Sequence, residues 1–286
     1  MKIVSCVAAL LCLVLSVPLG AQTPSIEAQG VAALNAKDFN TARTLFGKAC
    51  KRNSKEGCFR LARMAFDGAG TPVDYRGAAA IFNKACALKD GASCFNLALM
   101  SNAGQGMPVN RANTLQLYER ACDAGSAQGC HNLGLVHNKG SDSPVDEVKA
   151  LSFFRRGCDA GLARSCVMGG ALLAESATLD KDLPEAAALF GHACEKGDMD
   201  GCTQQGTMLA NGSAGTQDAE RAAALLTRAC DGQNASGCAV LGTLAYNGVG
   251  IPKDKERAVS LFKQALELDA NEPLARDLLT KLGLLQ

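Results

Sequence analysis

Residues 94–130 read CFNLALMSNAGQGMPVNRANTLQLYERACDAGSAQGC. The apolar residues Phe95, Leu97, Ala98 and Met100 predict one helix, from about Ser93 to Asn102. Gly104-Gln105-Gly106 closes it, because glycine takes the left-handed conformation that ends a helix. Pro108 cannot continue a helix interior, and Asn110 is a suitable N-cap for a second helix. That helix carries Ala112, Leu115, Tyr118, Ala121 and Cys122 at spacings of three and four. Asp123-Ala124-Gly125 then turns the chain toward Cys130.

The same phrase repeats outward in both directions. Cysteines stand at Cys50, Cys58, Cys86, Cys94, Cys122, Cys130, Cys158, Cys166, Cys194, Cys202, Cys230 and Cys238, in pairs eight apart that recur every 36 residues. A large residue keeps the same beat at Phe46, Phe82, Tyr118, Phe154, Phe190, Leu226 and Phe262. A fixed period of this length marks a solenoid of stacked helical pairs. The expected organisation is an atypical helical repeat over 22–57, six αα repeats over 58–273 and a capping helix over 274–286. Atypical ends shield the open stack. Repeats four and five depart from the pattern. Ser176 and Thr178 replace turn glycines, and Gly169 and Gln205 stand where other repeats have leucine. A looser joint is expected there.

Two cysteines eight apart on one continuous helix would be about 12 Å apart along its axis, whereas a disulfide needs Cα atoms within about 7 Å. The turn between them folds one helix back on the next, so the expected bridges are 50–58, 86–94, 122–130, 158–166, 194–202 and 230–238. Each closes a short loop and adds roughly 2–3 kcal/mol in the chain-entropy account. At the next expected positions stand Leu266 and Leu274, both apolar, so a seventh bridge is expected if both become cysteine. Zinc cysteines come as tighter knuckles, and the three histidines share no repeating spacing. No metal and no cofactor is expected. His131 is expected on a helix surface and His137 in a helix contact.

Residues 1–21 read as a secretory signal peptide: Met1-Lys2, an apolar run to Leu19, and a small-residue site ending at Ala21. The rival is a membrane anchor, for which a run of about 17 residues is the bare minimum. Cys6 and Cys12 would leave with the signal, and no later stretch is apolar enough to span a membrane. An oxidising compartment, periplasmic or extracellular, accommodates the remaining cysteines. The 286-residue chain has 29 basic and 28 acidic residues, no Trp and 5% aromatics. That balance argues against a nucleic-acid footprint, and 48% hydrophobic content argues against disorder.

The repeat resembles the Sel-one-like repeat, a relative of the tetratricopeptide repeat. The matching residues are Leu-Gly-x-x-x-x-Asn-Gly-x-Gly-x-x-x-Asp at 241–254, Ala-x-x-x-Phe-x-x-Ala-Cys at 78–86 and 186–194, and Cys-Asp-Ala-Gly at 122–125 and 158–161. The cysteine spacing looks like the secreted branch called the Helicobacter cysteine-rich proteins. The resemblance covers essentially residues 22–286. It implies an all-α, right-handed αα-superhelical solenoid with one disulfide per repeat.

Two functions follow as expectations. One is a monomeric scaffold that binds a protein, an extended peptide or a cell-envelope ligand in its concave groove. The first helix of each repeat should line that groove, with Arg60, Asn96, Asn132 and Gln204 on one stripe. Amides both donate to and accept from a peptide backbone. The competing account of the stripe is a merely solvated helix face. The other function comes from the resemblance: penicillin binding with weak β-lactamase activity, a β-lactam being the ligand. Ser260-Leu261-Phe262-Lys263 matches a Ser-x-x-Lys element, but the Ser-Asp-Asn and Lys-Thr-Gly elements are absent. Phe262 lies in the core column, so helix periodicity accounts for the match, and no catalytic residue is assigned. A redox role would favour Cys-x-x-Cys, which never occurs here.

Overall fold

The structure is a computed structural model and describes residues 24–140, 144–176 and 179–285. The signal-peptide reading over 1–21, Cys6, Cys12 and Thr178 lie outside the described residues. Among the described residues there are fifteen α-helices and no strand: α1 (Ile26–Asn35), α2 (Phe39–Lys51), α3 (Lys55–Asp67), α4 (Tyr75–Ala87), α5 (Gly91–Ala103), α6 (Arg111–Asp123), α7 (Ala127–Lys139), α8 (Glu147–Asp159), α9 (Ala163–Glu175), α10 (Leu183–Glu195), α11 (Met199–Asn211), α12 (Ala219–Asp231), α13 (Ala235–Asn247), α14 (Lys255–Leu268) and α15 (Pro273–Lys281). Odd-numbered helices open each repeat and even-numbered helices close it, so the chain is a solenoid of helical pairs.

Local chemistry sets the boundaries. Every even-numbered helix starts behind an Asp or Asn whose side chain accepts from the third amide of the helix: Asp38, Asp74, Asn110, Asp146, Asp182, Asp218 and Asp254. The odd helices except α9 have side-chain caps too. Asp90 caps α5, so that helix begins at Gly91, two residues before the Ser93 expected from apolar periodicity. Left-handed Gly68, Gly104, Gly140, Gly212 and Gly248 end α3, α5, α7, α11 and α13.

The large column and a small column interlock. Phe46, Phe82, Tyr118, Phe154, Phe190, Leu226 and Phe262 are all buried, each stabilising by roughly 1.5–3 kcal/mol relative to exposure. A Cβ at Gly134 would lie 2.5 Å from the Phe154 ring, and one at Gly242 would lie 2.6 Å from Phe262. The aromatic ring therefore demands a small residue on the partner helix. Phe59, Phe95 and His131 occupy one column of α3, α5 and α7 and contact Phe82, Tyr118 and Phe154, with ring centroids 6.1, 5.9 and 5.7 Å apart.

The six bridges form as the spacing requires, with Cα–Cα distances of 4.4–4.7 Å. So close an approach needs small neighbours. A Cβ on Gly57, Gly129, Gly201 or Gly237 would meet the Cβ of Ala49, Ala121, Ala193 or Ala229 at 2.4–2.7 Å. At the 158–166 bridge the sizes are exchanged, Gly157 facing Ser165.

The second turn glycine joins one repeat to the one before. A Cβ on Gly106 would lie 2.3 Å from the Tyr75 carbonyl oxygen, at the start of α4. The turn after α5 therefore rests on the preceding repeat, backbone against backbone.

Repeat four differs as its sequence suggests. Leu162 supplies no side-chain cap to α9, and Ser176 ends it at φ −55° rather than in the left-handed region. The missing Leu at Gly169 is filled from the partner helix, since Leu189 comes within 3.3 Å of where its Cβ would be. Gln205 projects into the room left by Gly191.

Two expectations need correction. His131 is buried, at 8% exposure, not on the surface. It takes the aromatic place of Phe59 and Phe95, and its Nδ1 lies 3.0 Å from the buried Ser165 hydroxyl of the next repeat. At the C-terminus, α14 runs to Leu268 and Glu272 caps α15, two residues later than the 36-residue period gives from Asn234. The buried Ala275 and Leu279 then take the places of Gly237 and Leu241. Leu274 is therefore out of register with Cys238, and position 276 stands in its place.

Candidate functional site

Odd-numbered helices of successive repeats touch one another, α5 with α7, α9 with α11, α11 with α13 and α13 with α15; among even-numbered helices α8 and α10 do so. Most of these contacts join odd helices, which form one face of the array.

Two hollows on this face are equivalent by one period. The first, of about 270 Å³, lies between α5, α6 and α7 and is lined by Asn102, Arg111, Tyr118, Asn132, Leu135 and Val136, with Thr114 and Leu115 at its floor. The second, about 300 Å³, lies between α7, α8 and α9 and is lined by Asn138, Glu147, Met168, Ala171, Leu172, Glu175 and Ser176. Shifting the first by 36 residues carries Asn102 onto Asn138, Arg111 onto Glu147, Asn132 onto Met168, Leu135 onto Ala171 and Val136 onto Leu172. In the repeat before, the corresponding space holds Phe66 against Tyr75, ring centroids 5.2 Å apart.

Burial raises the Tyr118 phenol above its usual range, and a hydrogen bond with Asn132 partly offsets this. The amide is thereby anchored to the wall of the first hollow. In the second hollow the Ser176 hydroxyl donates to Glu147 and accepts from the Leu179 amide.

Of the four stripe residues expected from sequence, Asn132 lines the first hollow. Arg60 pairs along its own helix with Glu56. Asn96 donates to the Ala92 carbonyl of its own helix at 2.8 Å, and Gln204 is exposed. Asn102 and Asn138, one turn and a half further along the odd helices, were not anticipated. Their recurrence at one period is the signal that could have found them. Met168 interrupts the amide stripe in repeat four.

The other side chains singled out in the sequence lie elsewhere. Ser260 and Lys263 are both exposed, on the flank of α14 away from buried Leu261 and Phe262. His137 stacks on Phe153 with centroids 5.5 Å apart, and His192 is exposed beside Glu195. No group of three or more metal-ligating residues clusters among the described residues. No helix among them is long and apolar enough to cross a membrane.

A family model described as the Sel1 repeat matches residues 55–90, 91–126, 127–162, 202–234 and 235–269. The segment between the third and fourth matches is the repeat that lacks the Leu, the helix cap and the turn glycines. No curated protein matches the sequence. Among solved structures, a protective antigen of uropathogenic Escherichia coli strains displaying an SLR fold is 19% identical with TM-score 0.71, over 90% of this chain and 56% of that one. The chain thus spans about half the length of that protein. A Sel1 repeat protein from Oxalobacter formigenes is 21% identical with TM-score 0.65, over 84% of this chain and 99% of that one. Helicobacter pylori cysteine rich protein B is 25% identical with TM-score 0.38, over 49% and 98%. The first two likenesses show the fold.

Proposed function

The chain belongs to the Sel1 repeat family, and from that premise we propose that it is an exported, monomeric scaffold that binds an extended peptide or a cell-envelope ligand along its inner face. The fold itself is that of a protein-interaction scaffold. The observation that carries the finer reading is the pair of hollows one repeat apart, each offering a side-chain amide, Asn102 and Asn132 in one and Asn138 in the other. Amides at a repeating interval suit a ligand whose own backbone repeats, because each can donate to a carbonyl and accept from an amide.

The cysteines support an exported location. All twelve described cysteines are bridged, a state that persists in the periplasm or outside the cell. Arg60, Asn96 and Gln204 would extend the binding stripe beyond the two hollows. Binding should depend only modestly on salt, since the stripe is mostly amide.

The test is a peptide array probed with wild type and with Asn96→Ala plus Asn132→Ala. The double variant should lose most of the binding while keeping its circular dichroism and its six bridges. Unchanged binding would place the ligand elsewhere on the molecule.

A further inference from the structure

We propose that the closing ends of α2, α4 and α6 form a second interaction surface, which takes an acidic peptide segment of a partner protein and seats its carboxylates on Lys89 and Arg120. This surface is separate from the groove reading above and does not depend on it.

Charge is segregated along the array. Residues 24–126 hold 13 Lys and Arg against 8 Asp and Glu, and residues 127–286 hold 15 against 20. A solenoid keeps sequence neighbours together in space, so an almost neutral chain has one positive and one negative half. The positive charge peaks where α2 ends and α3 begins. Lys48, Lys51, Arg52 and Lys55 are all exposed there, and no acid falls within 48–55. Two contacts tie the next repeat to this cluster. The Lys84 ammonium donates to the Cys50 carbonyl at 2.8 Å, and the Lys55 ammonium donates to the Lys89 carbonyl at 3.5 Å. These bonds fix where the cations stand; the ligand contacts fall to Lys89 and Arg120.

The second observation is a missing acid. A basic residue recurs in the last turn of the even helices at Lys48, Lys84, Arg120, Arg156, His192 and Arg228. Arg156 is held by Asp123 of the preceding repeat at 2.8 Å. Shifting that pair back by 36 residues gives Arg120 and Ala87, so the carboxylate is absent. Among the described residues Arg120 has no side-chain partner, and neither has Lys89. The two line one hollow of about 400 Å³ between the ends of α4 and α6, with Ala87 in its wall. A carboxylate entering it would stand to Arg120 as Asp123 stands to Arg156, with Lys89 as a second charged donor. The acids around it are engaged elsewhere, Asp123 by Arg156, Glu56 by Arg60 and Asp90 by the Ser93 amide.

An anionic membrane fits this surface less well. Interfacial binding sets apolar side chains beside basic ones. The exposed Val73, Tyr75 and Val109 lie at the opening ends of α4 and α6, and a helix of 13 residues puts its other end about 20 Å away. A peptide needs only its carboxylates.

The experiment uses fluorescence anisotropy on the full oxidised chain. The labelled probes are Gly-Asp-Asp-Gly-Asp-Asp-Gly and its counterpart with every Asp replaced by Asn. The acidic peptide should bind about tenfold tighter at low salt, a few partly exposed charge pairs supplying the difference, and added salt should erode the preference. Lys89→Gln with Arg120→Gln should abolish it. Ala87→Asp should abolish it too, by giving Arg120 the partner that Arg156 already has. Asn83→Asp makes the same change of charge one turn earlier on α4, at another exposed position, and should keep most of the binding. Equal affinity for the two peptides overturns the proposal, as does an Ala87→Asp variant that binds as wild type does or an Asn83→Asp variant that loses as much as Ala87→Asp. Capture by phosphatidylglycerol vesicles without peptide binding overturns it in favour of a lipid surface. Asn96→Ala with Asn132→Ala should leave acidic-peptide binding unchanged, so the groove reading stands or falls on its own test.

Discussion

Replacing Gly106 by Ala should open the joint between two repeats rather than merely strain one turn. Gly106 has φ +72°, and an L-residue held there costs about 1–2 kcal/mol. Its new Cβ would also lie 2.3 Å from the Tyr75 oxygen and 2.4 Å from the Tyr75 carbonyl carbon. Ordinary contact begins near 3.4 Å, so the turn must lift by about 1 Å from the start of α4. Both partners are backbone and cannot rotate away, and forcing extra volume into such a contact costs about 1–3 kcal/mol. The sum is about 2–5 kcal/mol. Gly125 is the internal control. It has φ +84° but nothing within 4 Å of its Cβ direction, so Gly125→Ala should cost the strain alone. Repeats touch mainly their neighbours, so the damage should stay local. Native-state hydrogen exchange reads it directly. Amides of α4 and α6 should exchange at least about fivefold faster in Gly106→Ala than in Gly125→Ala, from the contact cost of about 1 kcal/mol or more. Gly250→Ala, whose Cβ would lie 1.9 Å from the Ala219 oxygen, should repeat the effect at α12 and α14. Equal exchange in the Gly106 and Gly125 variants would refute the claim that this turn bears on the preceding repeat.

Three further outcomes are expected. Leu266→Cys with Arg276→Cys should oxidise, and Leu266→Cys with Leu274→Cys should not, because α15 starts two residues late; mass spectrometry of unreduced digests decides between them. Removing the 158–166 bridge by Cys→Ala should lower the urea midpoint more than removing 86–94. Each short loop is worth about 2–3 kcal/mol, and α9 additionally lacks a side-chain cap and a left-handed glycine end. Burial, reinforced by Arg164, holds His131 below its ordinary value of 6.5. The unfolded imidazole therefore takes up a proton as pH falls below about 6.5 while the folded one does not, and stability is lost until the lowered folded value is passed. Thermal melts between pH 7 and pH 5 should show this loss in wild type. In His131→Phe, which copies Phe59 and Phe95, that part of the slope should be gone; an unchanged slope would assign the pH dependence to other groups.

Most of the fold is legible in the one-dimensional pattern because a solenoid is close to one-dimensional itself. Every repeat meets the same neighbours, so the same columns recur: a large residue at Phe82, Tyr118 and Phe154, a capping Asp or Asn at Asp74, Asn110 and Asp146, and a cysteine pair whose spacing alone demands a turn. The departures of repeat four, at Gly169 and Ser176, are equally visible as breaks in the beat. The candidate site was less legible. Asn132 reaches a hollow, but Arg60 and Asn96 spend their polar groups on Glu56 and on the Ala92 carbonyl within their own helices, and helical periodicity cannot tell an amide aimed at a ligand from one folded back on its backbone.

Three matters belong to the tertiary structure alone. His131 is inside because its column packs on the large residue of the following helix, a contact 23 residues away in sequence. Gly106 is obligatory because another repeat's backbone occupies the space a side chain would need. The last helix departs from the 36-residue period, with Glu272 as its cap. There α15 begins two residues late and Ala275 and Leu279 are buried, since burying apolar surface outweighs keeping the beat. Sequence periodicity specifies what each residue is offered to; only the packed array decides which offers are taken.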